Sequence, residues 1–177
     1  MSYYTIIYPD WDYKQDFADK QTLEKAKDEI VEKSNNVWGK IYRLIFSIPT
    51  EHHHVDIERL FWNYVQLQKE NYRLFAIGEM MDCIEYNEKP SIAVNKYEYN
   101  YDPKDGIRVS DATISQVRMK LIGLAMTTPS EITPKGQDPM DYLCELIWDL
   151  HQELDFAIID KEFSELCVKY WSTHEEG

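Results

Sequence analysis

The segment from Val55 to about Tyr86 carries the spacing pattern that most constrains the fold. One stripe of its positions alternates steps of three and four residues, which is the period of one face of an α-helix. The stripe consists of Ile57, Leu60, Tyr64, Leu67, Asn71, Leu74, Gly78 and Met81. A helix of about 30 residues is about 45 Å long, since each residue adds 1.5 Å. The sequence therefore predicts one long central helix, in which Asn71 and Gly78 interrupt an otherwise apolar or aromatic face.

Helical periodicity also precedes this segment. Apolar residues from about Gln21 to Ile48 fall on one stripe that Pro49 ends. The run from Ser34 to Asn36, together with Gly39, consists of poor helix formers in a helix interior. The stripe therefore predicts either one helix or two.

Three more helices are predicted in the second half of the chain. Ser110 or Asp111 is a typical N-cap for the first of them. Pro139 opens the second, which extends to about Asp155, because proline is favoured at the first helical position. The last helix is expected from roughly Asp160 to Trp171.

A small β-hairpin is predicted between the long helix and the Ser110 helix. Residues 92–101 alternate with a period of two, residues 102–106 form the turn signal Asp-Pro-Lys-Asp-Gly, and residues 107–109 supply the return strand. A short N-terminal strand or an extended arm is also expected over residues 3–8. The predicted class is a mostly α (α+β), single-domain helical bundle over residues 1–177, with one long central helix and a small β-hairpin.

The charge balance limits the classes of function. The chain has 177 residues with 32 acidic and 19 basic side chains, a net charge of -13. Clustered Lys and Arg are needed to hold nucleic acid by charge, so direct nucleic-acid binding is not expected. The first residues lack the pattern of a signal peptide, and no apolar run reaches the roughly 20 residues of a membrane span. We therefore expect no membrane partner. Three widely spaced cysteines predict buried, reduced thiols, so we expect a cytoplasmic protein.

Most of the negative charge lies near the C-terminus. Residues 138–177 contain 11 acids against Lys161 and Lys169, which gives a net charge of -9. Four of these acids recur every four residues of the Pro139 helix and form the acidic stripe: Asp141, Glu145, Asp149 and Glu153. Trp148 lies beside the stripe. Such a face is either simply solvated, with Trp148 packed on a neighbour, or a binding face on which acids steer a basic partner and Trp148 anchors it.

Tyrosine is abundant, with 13 residues in the chain. Tyr97, Tyr99 and Tyr101 share one face of the predicted hairpin. Tyr is enriched at protein interfaces, so these three are candidate partner-binding residues. The alternative is that they pack over a helix.

The sequence offers little catalytic chemistry. Consecutive side chains of His52, His53 and His54 point in different directions, so an exposed loop is expected rather than a metal site. Neither zinc signatures nor a nucleophile elbow occurs in the sequence. No cofactor is therefore expected from these motifs.

Carboxylates support one enzymatic alternative. If Glu79 and Asp82 on the long helix met Glu145 and Asp149 on the Pro139 helix, they could hold Mg²⁺ for hydrolysis of a nucleotide phosphate linkage. The segment Glu79-Met80-Met81-Asp82 is similar to the ExxD motif of the all-α nucleotide pyrophosphohydrolases. The acids of the Pro139 helix are four residues apart rather than three, which departs from that pattern.

The sequence therefore favours a protein-binding protein. The most specific hypothesis is an inhibitor or immunity-type, anti-defence protein that occludes a basic, nucleic-acid-facing surface of a toxin or nuclease. The alternatives are the Mg²⁺-dependent phosphohydrolase and a structural subunit that homodimerises through the seam from Ile57 to Met81.

Overall fold

Helices dominate the computed structural model, which describes residues 2–7, 13–86, 91–95 and 102–175. The helices are α1 (Tyr13–Asp16), α2 (Lys20–Phe46), α3 (His53–Glu85), α4 (Pro103–Ala125), α5 (Pro129–Ile132) and α6 (Pro139–Tyr170). The strands are β1 (Ser2–Ile7), β2 (Ser91–Asn95) and β3 (Trp171–Glu175). The helical bundle and the long central helix are thus confirmed, with α3 beginning at His53.

Helices α2, α3, α4 and α6 form an antiparallel four-helix bundle. The contact of Ser47 with His53 closes the turn between α2 and α3, and Arg118 of α4 reaches back to Glu58 near the start of α3. Helix α6 runs parallel to α3, because Tyr64 contacts His151 and Gln68, one turn further along α3, contacts Asp155, one turn further along α6. The ends of α2 and α4 and the starts of α3 and α6 therefore lie at one end of the bundle.

The core forms where the apolar stripes of the four helices meet. Its fully buried members include Ile41 on α2, Phe61 on α3, Leu121 on α4 and Leu154 on α6. Each buried side chain of this size contributes about 1.5–3 kcal/mol relative to an exposed one. A second apolar cluster joins Phe17 and Leu23 to Leu74 and Ile77 at the other end of α3.

The stripe of α3 is occupied within one chain. Ile57, Leu60, Tyr64 and Leu74 are all at most 4% exposed. At Gly78, a Cβ atom would lie 3.3 Å from Leu23 Cδ2, so the glycine allows α2 to pack closely on α3. The homodimer through residues 57–81 stays a prediction, and the seam on which it rests is covered inside the bundle.

The predicted β-hairpin is wrong. Its return strand, residues 107–109, lies within α4, and the bundle itself is all-helical. The Asp102 side chain accepts a hydrogen bond of 2.9 Å from the Lys104 backbone N–H, and Pro103 follows at the start of the helix. An Asp-Pro pair is typical both of a turn and of the start of a helix, and here it starts a helix. Helix α4 therefore begins before the predicted caps at Ser110 and Asp111.

The strands combine distant parts of the chain instead. β1 lies in the centre of a three-stranded antiparallel sheet, with β2 on one side and β3 on the other. Tyr4 is opposite Val94 of β2 and Thr173 of β3. The predicted N-terminal strand is therefore present, but its partners are not neighbours in sequence.

Of the two alternatives for α2, a single helix is correct, and the break predicted in α6 is absent. Helix α2 passes through residues 34–39 without interruption, and Ser34 is buried in it. Helix α6 continues through residues 155–160, where neither Gly nor Pro stops it, and reaches Tyr170. Within the part of the chain that the structure describes, no helix has the length and apolar character needed to cross a membrane.

Candidate functional site

The acidic stripe lies on the outer face of the first half of α6. All four of its side chains are exposed, and none of them has an ion-pair or hydrogen-bond partner among the described residues. The same half of α6 buries Leu143, Ile147, Leu150 and Leu154 on its inner face. Because a residue four positions further along a helix is rotated by about 40° around its axis, successive members of the stripe lie closer to α4 toward the C-terminal end. Asp149 and Glu153 consequently reach the seam between α4 and α6.

Acids of the second half of α6 are arranged differently, because each contacts a partner. The partners are Tyr64 and Gln68 for Asp155, Ser110 for Asp160, Lys69 for Glu162, and Lys161 for Glu165. Burial raises the pKa of the Glu162 carboxyl, and the nearby Glu165 adds to this effect. The Asp111 carboxylate raises the pKa of Lys161, whose Nζ lies 2.7 Å from Asp111 Oδ1. Asp155, Asp160 and Glu162 therefore link α6 to α3 and α4, whereas Glu165 pairs within α6.

Trp148 is 61% exposed on the outer face of α6. Its indole therefore remains largely accessible beside the stripe, where Glu145 and Asp149 are exposed as well. An aromatic side chain in this position could lose its remaining exposed area to a partner.

Two hollows follow the seam beside the stripe, and together we call them the α4–α6 groove. The larger has a volume of about 740 Å³ and is lined mainly by apolar and aromatic side chains: Tyr72, Phe75, Val109, Phe156, Ile159 and Phe163. Phe156 is 71% exposed and Val109 is 63% exposed. The smaller has a volume of about 420 Å³ and includes Lys120, Leu146, Asp149 and Leu150. The two hollows meet at Glu153, which lines both.

A polar cluster is centred on the buried Tyr64 hydroxyl at mid-height of α3 and α6, and we call it the buried polar cluster although its other members are partly exposed. Its members are Tyr64, Gln68, His151 and Asp155. The Tyr64 hydroxyl lies 2.6 Å from Asp155 Oδ1 and 2.6 Å from His151 Nε2. Gln68 donates from Nε2 to the Tyr64 oxygen at 2.8 Å and to Asp155 Oδ1 at 3.0 Å. Because Tyr64 has one proton and gives it to Asp155, His151 donates from Nε2.

The surroundings of this cluster shift two pKa values. Burial raises the pKa of the Tyr64 phenol above its usual value, and the Asp155 carboxylate adds to this effect. Burial lowers the pKa of the His151 imidazole, and Asp155 opposes this change. Trp38 stacks on the His151 ring at a centroid distance of 4.0 Å. Tyr64 is only 1% exposed, and its contacts with His151 and Asp155 join α3 to α6 at this level of the bundle.

The carboxylates of the magnesium alternative do not meet. Since α3 and α6 are parallel and Tyr64 is level with His151 and Asp155, Glu79 and Asp149 are separated by about 30 Å along the bundle. Asp82 forms an ion pair with Lys20 instead. In the described ranges, no group of three His, Cys, Asp or Glu side chains could hold a metal ion.

Several other predicted features have a clear outcome. Tyr97, Tyr99 and Tyr101 lie outside the described residues. His52 and His54 are exposed as expected, but His53 is buried, because its ring contacts Ser47 Oγ at Nε2 and Thr50 Oγ1 at Nδ1, both at 2.7 Å.

The prediction of three buried cysteines is wrong for Cys144, which is exposed on the outer part of α6 and lies 3.0 Å from the Tyr42 hydroxyl.

The groove and the buried cluster were not predicted. The i,i+4 pair of His151 and Asp155 and the polar Tyr64 within an apolar stripe were the available signals for the cluster. The groove combines residues from three helices, and sequence periodicity does not tell which helices are neighbours. Neither a protein-family model, nor a curated protein, nor a solved structure matches the chain.

Proposed function

We propose that this protein binds a basic surface of another protein through the acidic stripe and Trp148. The observation that carries the proposal is the absence of partners for Asp141, Glu145, Asp149 and Glu153 among the described residues, on a helix whose later acids all have one. Carboxylates with free oxygens remain available to the Lys and Arg side chains of a partner.

The acidic stripe does not stabilise the isolated protein. Like charges four residues apart destabilise a helix by a few tenths of a kcal/mol per pair. Their combined field extends about 8–10 Å into solvent at moderate ionic strength, which is enough to accelerate the encounter with a positive surface. Trp148 then supplies apolar contact area at the centre of the complex.

The finer hypothesis is that the partner surface normally faces nucleic acid, as in a toxin or nuclease. Carboxylates would occupy the positions of phosphates on that surface, and the protein would act as an inhibitor by occlusion. The charge argument supports binding to any basic protein surface as well as inhibition of a toxin or nuclease. Identification of the partner would distinguish the two hypotheses.

The test begins with capture of partners from lysate at low salt and elution with a salt gradient. Association with the purified partner is then measured by surface plasmon resonance for the double variant Glu145→Lys/Asp149→Lys. We expect an association rate at least about tenfold lower at low salt, together with a weaker dependence on salt.

The matched control is Glu29→Lys/Glu32→Lys. It makes the same change in net charge at two exposed positions of α2. An equal slowing in both variants would show that only net charge matters, and an unchanged rate in the stripe variant would refute the proposal.

A further inference from the structure

We propose that the α4–α6 groove binds one amphipathic, basic helix of the partner. The inference rests on the proposed function and adds the secondary structure and chemistry of the segment that is bound. It is carried by the groove's dimensions, its apolar lining and the acids at its edge.

The apolar part of the argument is the exposure of the lining. Phe75, Val109, Phe156 and Ile159 are between 46% and 71% exposed, although all four line one hollow. Single exposed apolar residues are common on soluble proteins, whereas a contiguous set around a concavity marks an interaction surface. Occupation of the hollow would remove these four side chains from water together.

The groove's length fits a helix. Along α6 the lining runs from Leu146 in the smaller hollow to Phe163 in the larger one. At 1.5 Å per residue this distance is about 26 Å, which matches a partner helix of about 17 residues. An amphipathic helix binds such a groove by placing side chains at i, i+3, i+4 and i+7 into its floor.

The charges identify the partner as basic. Asp149 and Glu153 line the groove without a partner among the described residues, and Glu145 lies one turn before Asp149. Lys120 is the basic side chain that lines the smaller hollow. A second copy of this chain would bring the same acidic stripe and its net charge of -13 to the contact, which repulsion opposes. A helix with Lys or Arg along its polar face is complementary instead.

The experiment uses two fluorescent peptides of 17 residues. One carries leucines at helical spacing and lysines on the opposite face, and the other has the same composition in scrambled order. Fluorescence anisotropy against the full chain gives both dissociation constants. We expect the amphipathic peptide to bind at least about tenfold more tightly than the scrambled one.

Two variants locate the site. Val109→Ser and Phe156→Ser remove exposed apolar side chains from the groove, so each should weaken binding of the amphipathic peptide about fivefold without unfolding the chain. The matched control is Val55→Ser, because Val55 is 54% exposed but lies at the start of α3 away from the groove lining. Circular dichroism checks that all three variants remain folded.

The outcomes separate this inference from the proposed function. Equal binding of both peptides, lost in Glu145→Lys/Asp149→Lys, would overturn the groove and leave the charged face in place. Failure of both peptides to bind would also overturn the groove, while partner capture would still decide the proposed function. A dimer of the free protein that Phe156→Ser dissociates would show that a second copy occupies the groove and would likewise overturn the inference.

Discussion

The two halves of α6 use carboxylates in opposite ways within one continuous helix. In the first half, the acidic stripe points into solvent, and its members have no partner among the described residues. In the second half, Asp155, Asp160 and Glu162 reach Tyr64, Ser110 and Lys69 on neighbouring helices. Helix propensity is the same for both sets, so the difference comes from what faces each position. The number of carboxylates alone therefore predicts neither stability nor binding. The side chains that surround each carboxylate decide its role.

The largest expected effect tests whether the acids in the second half of α6 stabilise the fold. Replacing Asp155 with Ala removes the carboxylate that accepts hydrogen bonds from the buried Tyr64 hydroxyl and from Gln68. We expect the free energy of unfolding, measured by urea denaturation, to fall by about 1–3 kcal/mol. The control Asp149→Ala in the stripe should change it by no more than about 0.5 kcal/mol. Equal effects of the two substitutions would remove the distinction between the halves.

A pH series sharpens the same contrast. Burial lowers the pKa of His151 below its ordinary value of 6.5 in the folded protein. Below pH 6.5 the unfolded chain therefore binds a proton at this site more readily than the folded one, and the free energy of unfolding falls as pH decreases toward the folded pKa. Urea denaturation between pH 7.5 and 5.5 should show this loss. His151→Gln should lose stability less steeply over that interval, and an identical slope would contradict the assignment.

The smallest effect concerns the outer face. The double variant Glu145→Gln/Asp149→Asn removes like-charge repulsion within the stripe without altering the core. We expect the free energy of unfolding at low salt to rise by a few tenths of a kcal/mol. At high salt the difference from the native chain should vanish because the charges are screened. A loss of stability at low salt would mean that the stripe has a structural role after all.

Sequence periodicity was informative where burial follows one regular stripe. Helix α3 was predicted from Val55 to about Tyr86 and extends from His53 to Glu85, because its stripe keeps facing the bundle. The start of α6 at Pro139 was also predicted correctly. The predicted break near residue 155 was wrong because the buried face of α6 continues at helical spacing through Ala157, Ile158, Ser164 and Cys167, and neither Gly nor Pro interrupts the backbone there.

The remaining errors arose from long-range contacts. The Asp102-Pro103 pair starts α4, but the same residues also fit a turn, and local sequence does not choose between the two. β2 pairs with β1 over a long sequence separation, which hairpin reasoning does not consider. At the candidate site, the acidic stripe was visible in the sequence because its spacing is local. The groove was not, because Tyr72, Val109 and Phe156 come together only through helix pairing.

The buried polar cluster has a consequence for how freely the outside of the molecule can change. Apolar stripes repeat every turn, so helices packed by them alone can slip past one another by about 5.4 Å with little loss of contact. Tyr64 meets both His151 and Asp155 at one register only, because a slip of one turn would replace one of these partners with Ile147 or Ile159. The alignment of α3 and α6 is therefore fixed from the inside. Residues such as Glu145, Trp148 and Phe156 can be exchanged during evolution for a different partner while the bundle keeps its geometry.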